Sequence, residues 1–494
     1  MCRCLIAVVL WSVLNPVCVC GFPTEPSTSW IHPYLDELRI RHADMDLFVS
    51  NGPYDRLEIA RWLRSAYGGS PPVQKRSLWM LRLLETELRS EFAVLENQGW
   101  FWTQEVRVGA GAEKGGPFRS DGWARFSLHS GTGLCVWTTI RATVNSPERH
   151  KIETRPWHQR LRASFDQGGI GFQRGSLSIF AGRDEISWGA ARQRGLLFSG
   201  SAPAFDMVKL RLGMSPVQFT AFHSQLRRGQ DDSWEPAVRR YVAGHRLDFL
   251  LGGGLRFSVS EAVVYGGENR TFEPRYLNPL GVFYAEQWNS RQNDNIFIGG
   301  DFSLHFRGIG ELRGEILLDD FQYDFETEPH ECGFAISAVG KNPFYSEASL
   351  IGCSYHHVRN MVYGHLVNWN RLTHEGHVMG YPDGPDGDRL ALWSSLMFPE
   401  PVRWQLGYTL RRKGEGEATD SQEGGGRKVK FPSGSVEVRH SIGLDLVLRP
   451  SYAWMVEGFV EWYNEDNTGN IRDEARSGFN VEAKVTFNLR MAYK

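Results

Sequence analysis

The chain closes on GFNVEAKVTFNLRMAYK, and from Phe479 onward every second residue is apolar: Phe479, Val481, Ala483, Val485, Phe487, Leu489, Met491 and Tyr493. Between them lie Asn480, Glu482, Lys484, Thr486, Asn488 and Arg490, and only Ala492 breaks the pattern. A strict period of two means a strand with one face in an apolar environment. About fifteen residues is long for a globular sheet, where about five or six is usual. It suits a strand that crosses hydrocarbon at a tilt, for which about 9–11 residues suffice. A half-buried strand of a soluble sandwich would alternate in the same way, so the connections between strands have to decide.

The same period recurs in VRWQLGYTL (Val402, Trp404, Leu406, Tyr408, Leu410), SIGLDLVL (Ile442, Leu444, Leu446, Leu448) and YAWMVEGFVEW. Short breaks fall at Gly213 to Pro216, Gly252 to Gly254, Gly308, Gly340 to Pro343, Pro399 to Pro401 and Arg449 to Ser451. Long polar breaks lie between them, among them GRDEISWGAARQRGLLFSGSAP, the stretch from Gly266 to Asp294, and NWNRLTHEGHVMGYPDGPDGD. Regular alternation of short and long connections is the mark of an outer-membrane barrel, with short turns on the periplasmic side and long loops outside. A Greek-key sandwich has no reason to segregate its loops this way. The pattern predicts a transmembrane antiparallel β-barrel of about 18 strands over residues 100–494, an even number that returns both ends to the periplasmic side. Tyr493 followed by Lys494 departs from the aromatic terminus common in such barrels.

From Ile31 to about Leu95 the period is helical instead. Pro33, Pro53 and Ser70-Pro71-Pro72 punctuate about three amphipathic helices, and Leu78, Leu81, Leu84, Leu88 and Phe92 form an apolar stripe. Residues 22–99 are expected to be a small periplasmic helical bundle under the barrel mouth. The first 21 residues, with Arg3 ahead of an apolar core from Leu5 to Leu14, read as a signal peptide cleaved near Cys20 or Gly21. A lipoprotein signal would need a Leu-small-small approach to Cys18 or Cys20, which is lacking. The mature chain would keep Cys135, Cys332 and Cys353, without CxxC or Cys/His metal spacing, leaving only a Cys332–Cys353 bridge open. A net charge of −2 excludes a nucleic-acid partner, and aromatics at 13% suit interfacial girdles.

The fragments PYDRLEI, GRDEISWG, GLLFSGSAPAFD, RYVAGHRLD, EAVVYGG, YLNPL, LLDDFQ and GYPDGPDGDR, in this order, resemble the outer-membrane capsule-assembly proteins of the Wzi type. The resemblance covers nearly the whole chain. It implies an eighteen-stranded barrel with a periplasmic helical bundle and a lumen partly filled by inward-folded loops. It also implies a monomeric, lectin-like protein, embedded in outer-membrane lipid, that holds capsular or other exopolysaccharide without catalysis or cofactor. A channel for ions or small sugars is the alternative, since eighteen strands can enclose an aqueous pore.

Sugar binding needs aromatic faces and planar polar side chains. Candidates in the long loops are Trp188; Arg270, Arg275, Tyr276, Asn278 and Trp288; and Trp369, His374, His377, Tyr381, Asp383, Asp386 and Asp388. YLNPL reads equally as a turn folded into the lumen. DGPDGD has the hard oxygens of a Ca²⁺ site but not the spacing of an EF-hand, so an Asx-rich turn is the better reading and no metal is assigned. Asp319-Asp320 could act as an acid/base pair, but a lumenal charge paired with one of the many arginines is the better reading. Ser199 and Ser201 lack a GxSxG elbow, and His245 is expected to line the lumen. No catalytic residue is assigned.

Overall fold

The computed structural model describes residues 23–26, 29–41, 49–68, 75–96, 100–130, 133–145, 160–189, 194–227, 238–278, 280–320, 331–343, 349–397, 400–420 and 430–493. The signal-peptide assignment lies outside them.

Eighteen antiparallel strands close a barrel. They are β1 (Phe101–Glu113), β2 (Arg119–His129), β3 (Leu134–Val144), β4 (Leu161–Arg174), β5 (Leu177–Asp184), β6 (Phe205–Met214), β7 (Val217–Leu226), β8 (Val238–Leu250) and β9 (Leu255–Glu268). Then follow β10 (Asn295–Phe306), β11 (Gly310–Asp320), β12 (Glu331–Lys341), β13 (Ser349–Val358), β14 (Gly387–Met397), β15 (Val402–Lys413), β16 (Glu437–Leu448), β17 (Trp454–Asp466) and β18 (Ala475–Tyr493). The last strand seals the barrel against the first, with Glu482 opposite Glu113 and Tyr493 opposite Trp102. Tight connections such as 175–176, 215–216, 251–254 and 307–309 gather at one end, and 185–204, 269–294, 359–386 and 414–436 at the other. The segregation slackens at 114–118, which is as short as the turns opposite.

On β18, Phe479, Val485, Phe487 and Leu489 are exposed on the outer face, whereas Thr486 and Asn488 are buried toward the lumen. This apolar-out, polar-in arrangement is the reverse of a soluble protein and is what a wall facing lipid requires. Among the described residues no helix is long and apolar enough to cross a membrane.

At the short-turn end the described residues form four helices, α1 (Ile31–Arg41), α2 (Arg56–Tyr67), α3 (Lys75–Glu87) and α4 (Arg89–Glu96), where about three were expected. The third predicted helix breaks at Leu88, and the turn presents Glu87, Ser90 and Glu91 to Arg56 of α2 and Arg490 of β18. Asp55, rather than Pro53, starts α2: its carboxylate accepts from the Leu57 and Glu58 amides. Leu35, Leu38, Leu63, Met80, Leu84 and Leu88 form the bundle core, which Met397 at the foot of β14 joins.

Buried charges fasten these helices to the barrel. Arg39 pairs with Glu311 of β11, which also takes Arg313. Arg449, in the turn 449–453, lies 3.2 Å from the Trp30 ring. Burial alone would raise the Glu91 carboxyl, but Arg56 and Arg490 outweigh it and hold it well below its ordinary 4.5.

The N-terminal segment also enters the lumen. Asn51–Gly52 pairs with Ser187–Trp188 of the 185–204 loop, which pairs in turn with Phe198–Ser199, making a three-stranded sheet inside the barrel. Asn51 donates to Thr220 and Asp248 of the wall, and Arg246 holds Ser50, Asp248 and Asp301. Around this sheet Trp188, Leu196, Phe198, Tyr363, Leu372 and Met379 pack against the inward-facing Phe180, Phe222, Val242, Val264 and Phe297. One side of the bore is therefore a dry core. Cys135, Cys332 and Cys353 are all free thiols, and the ladder places Cys353 opposite Ala338, well along β12 from Cys332.

Candidate functional site

Across from the dry core, the inner wall formed by β1, β2 and β12 to β18 stays polar. A cavity of about 740 Å³ lies here, bounded by Tyr34 and Glu37 of α1 and by Trp393, Arg403, Gln405, Asp445 and Glu457 of the wall, with Arg194 from the 185–204 loop above it. These wall residues are the wet half of the same alternation that exposes Trp404, Leu406 and Leu444 outside. Arg194 donates to Asp383 at 3.0 Å, as does the Tyr381 hydroxyl, and Arg389 stands 3.6 Å from the same carboxylate. Burial would raise Asp383, but the two guanidinium groups override it and keep the carboxyl below its ordinary range. The Tyr381 ring stacks on His356 at 5.1 Å.

Toward the long-loop end the lining is a lattice of ion pairs. Arg439 bridges Glu461 (2.8 Å) and Glu465 (2.5 Å) and lies over the Tyr463 ring at 4.4 Å. Arg411 pairs with Glu437, Lys484 with Asp121, and Arg107 and Arg125 flank the Trp123 ring at 4.8 and 5.1 Å. Fixed guanidinium and carboxylate groups beside ring edges offer paired donors and acceptors to vicinal hydroxyls. A chain rich in hydroxyls is the natural guest of such a cleft.

The residues singled out from sequence fall into three places. Tyr381 and Asp383 do meet, behind Arg194 and His356 of the cavity, but Tyr381 is 1% exposed and belongs to the dry core; half-buried Trp369 lies beside β8 and β9, where its carbonyl accepts from Arg240 at 2.6 Å. Trp188 is 1% exposed, its edges against Phe198 and Phe222, with no face left for a sugar. Asp386 is likewise buried: it accepts from the Gly416 and Ser433 amides and the Ser433 hydroxyl, pinning loop 359–386 to loop 414–436. Its φ of +56° marks the turn.

Asp388 and the candidates of loop 269–294 stand outside the barrel. Asp388 faces outward with Arg412 and Tyr355. Arg270 clamps Glu273 and Asp294, Tyr276 donates to Asp294 at 2.6 Å, Arg275 pairs with Glu273, and Asn278 and Trp288 are exposed beyond them. Tyr276, Leu277, Asn278 and Leu280 are thus on the outer wall and not folded into the lumen. His245 also points outward, because Gly244, Arg246 and Asp248 take the inward positions of β8. Asp319 accepts the Tyr363 amide. The Ser199 hydroxyl donates to the Gly380 carbonyl at 2.6 Å and contacts Ser201, so it serves the inner core.

Arg194, Arg389, His356, Trp393, Arg403 and Glu457 were not singled out from sequence. Arg403 and Gln405 could have been: they are the polar alternates in VRWQLGYTL. No such signal exists for Arg194, whose place depends on how its loop folds.

Loop 359–386 carries an acid-sensitive group. His374 is buried and its Nδ1 accepts from the Arg227 amide at 3.1 Å. Burial, reinforced by Arg240 and Arg227, lowers it from 6.5 to about 3. A lowered histidine favours proton uptake by the unfolded loop, so stability is full above about 6.5 and declines as pH falls toward 3. Glu91 adds a second loss below 4.5, since its lowered carboxyl stabilises only while ionised. Limited proteolysis from pH 7.5 to 3.5 is expected to cut loop 359–386 first and the helical bundle next. Equal protection across that range would rule out both effects.

The family model for the capsule assembly protein Wzi matches residues 92–473. The chain belongs to the Wzi capsule-assembly family. It is an outer-membrane β-barrel of that family's fold. Among solved structures it is similar to Wzi of Escherichia coli, described as an outer-membrane protein involved in group 1 capsule assembly and as a carbohydrate-binding β-barrel. That match has 15% identity and a TM-score of 0.65, over 95% of this chain and 99% of that one. OprD of Pseudomonas aeruginosa is similar at 10% identity and a TM-score of 0.46, over 81% of this chain and 98% of that one. No curated protein sequence matches.

Proposed function

We propose that this Wzi-family barrel holds capsular or other extracellular polysaccharide at the cell surface, as a lectin-like anchor without catalysis, metal or cofactor. The carrying observation is the division of the bore. One side is a dry core, and the other is a cleft of fixed Arg, Glu and Asp side chains with Trp393 and Trp123 among them. Such a cleft can grip a hydroxylated chain, while the filled half leaves little cross-section for transport. Membership of the capsule-assembly family supports the same role.

The candidate nucleophile Ser199 is committed to the Gly380 carbonyl, which favours binding over chemistry. The helical region belongs on the periplasmic side, because it caps the short-turn end and short turns are periplasmic in bacterial barrels. One copy is the working unit in its lipid surround, as the cleft is built from a single chain.

Deleting the gene in the native host and measuring high-molecular-weight polysaccharide on washed cells and in the medium tests this. Polysaccharide should move from cells to medium with the total unchanged. If neither pool changes, the anchor role fails for this protein, and a steady large conductance in planar bilayers would point to a channel.

A further inference from the structure

Loop 269–294 does not cover the mouth of the barrel. It folds back over the outer wall, bringing the helix α5 (Phe283–Ser290) against the outward faces of β8 to β10. Tyr241, Ala243, Val263, Tyr265 and Ile296 all alternate with lumen-facing neighbours, yet all are buried, together with Tyr276 and Phe283 of the loop. The Tyr265 and Tyr276 rings are 4.9 Å apart, and Tyr276 meets Phe283 at 5.5 Å. This is a second hydrophobic core on the lipid side of the wall.

Beneath it lies a carboxylate. Glu261 points outward from β9, 7% exposed, and accepts from the Phe283 amide (2.9 Å) and the Tyr284 amide (2.8 Å) at the N-terminus of α5, with His245 Nε2 3.1 Å away. An outward charge here would otherwise face hydrocarbon: exposed Phe257 and Val259 precede it on the same face of the same strand. At about 3.3 Å per residue along a tilted strand, Glu261 falls inside an apolar band about 25 Å tall. The helix supplies the amides that the bilayer lacks.

The far side of the loop is apolar and uncovered. Leu280 is 67% exposed, Val282 57% and Trp288 73%, with Leu277 and Tyr284 beside them. This patch continues the exposed wall of Val259, Ile298 and Ile316, while Arg291, Gln292 and Asn293 are exposed where the chain turns back toward Asp294. An apolar face continuous with the lipid-facing wall and edged by Trp and Tyr is what an element lying in the membrane boundary presents.

We propose that residues 270–290 form a strap embedded in the outer leaflet, whose exposed face is occupied by the acyl chains of outer-leaflet lipid. The strap widens the barrel's grip on one sector of the leaflet and shields the Glu261–His245 pair. Trp288 and Leu280 are then lipid anchors and not sugar platforms.

Nitroxide labels at Leu280→Cys, Trp288→Cys, Val259→Cys and Arg291→Cys, in a background lacking Cys135, Cys332 and Cys353, test the proposal. Each folded variant, checked by its heat-dependent gel mobility, is placed in phosphatidylethanolamine and phosphatidylglycerol vesicles, and collisions with oxygen and with a polar nickel chelate are compared. Labels at 280 and 288 should match 259, with an oxygen preference several-fold above that at 291. Behaviour like 291 would put the strap in water, and exclusion of both reagents would put a second protein on it; either overturns the proposal. With the native cysteines kept, lipids brominated on their acyl chains should quench less emission in Trp288→Phe than in the parent. An unchanged quenched fraction refutes the lipid contact independently.

Discussion

Replacing Arg56 with Met is expected to loosen the helical bundle from the barrel at a cost of about 3–5 kcal/mol, the range for removing one partner from a buried ionic cluster. The guanidinium is 2% exposed and meets Glu91 at 2.7 Å, Glu25 at 2.7 Å and Glu87 at 3.0 Å, and it also donates to the Glu87 carbonyl at 2.8 Å. Met fills similar space but leaves three buried carboxylates facing each other with one cation fewer. Arg490 reaches Glu91 at 3.4 Å and Glu105 at 3.2 Å from the barrel side, so the damage falls on the seam between helices and wall. Protease cleavage between α1 and α4, followed against urea in detergent micelles, should show an earlier midpoint while the barrel keeps its heat-dependent mobility. Arg56→Lys should fall between the two, because a point charge cannot satisfy the fork of acceptors. An unmoved midpoint for Met would mean the apolar bundle core alone seats the helices.

The barrel could be read from sequence because its two signals are local. A period of two sorts each strand residue by face, and loop length sorts each connection by end. Thus β18, the turns at 252–254 and 449–451, and the count of eighteen all followed from sequence. The interior could not be read in that way. Trp188, Asp386 and Tyr276 looked like surface aromatic and acidic residues because they sit in long polar loops, yet each is buried by segments far away in sequence. Loop 269–294 is the clearest case. Its composition is that of an extracellular loop, but it folds outward because Glu261 and the Tyr241–Tyr265 pair offer it a cap and an apolar bed. Neither belongs to the loop. The cavity residues were missed for the opposite reason: Arg403, Gln405, Asp445 and Glu457 sit in the strands themselves, where polar alternates pass as mere lining.

Trp188→Ala tests whether the inner sheet is what seals the dry half. The ring contacts Phe198 at 5.3 Å and Phe222 at 5.4 Å, and a Cβ built on Gly244 would come within 3.1 Å of it, so wall and indole fit without slack. Its backbone lies between Asn51 and Phe198, and it therefore joins the N-terminal segment, the 185–204 loop and the wall at one position. Truncation should cost about 3–5 kcal/mol, as for other large buried aromatics, and that loss is concentrated on a sheet only two residues deep. The barrel ladder does not depend on it. The expected outcome is a folded, heat-modifiable barrel whose 185–204 loop is cut by protease and which shows flickering current in planar bilayers, against a quiet parent. A silent variant with a protected loop would mean that Tyr363, held by the Leu196 carbonyl at 2.7 Å, keeps the core closed without the indole. Current in the parent equal to that in the variant would mean that ions pass through the charged cleft and that the inner sheet governs its shape rather than its closure.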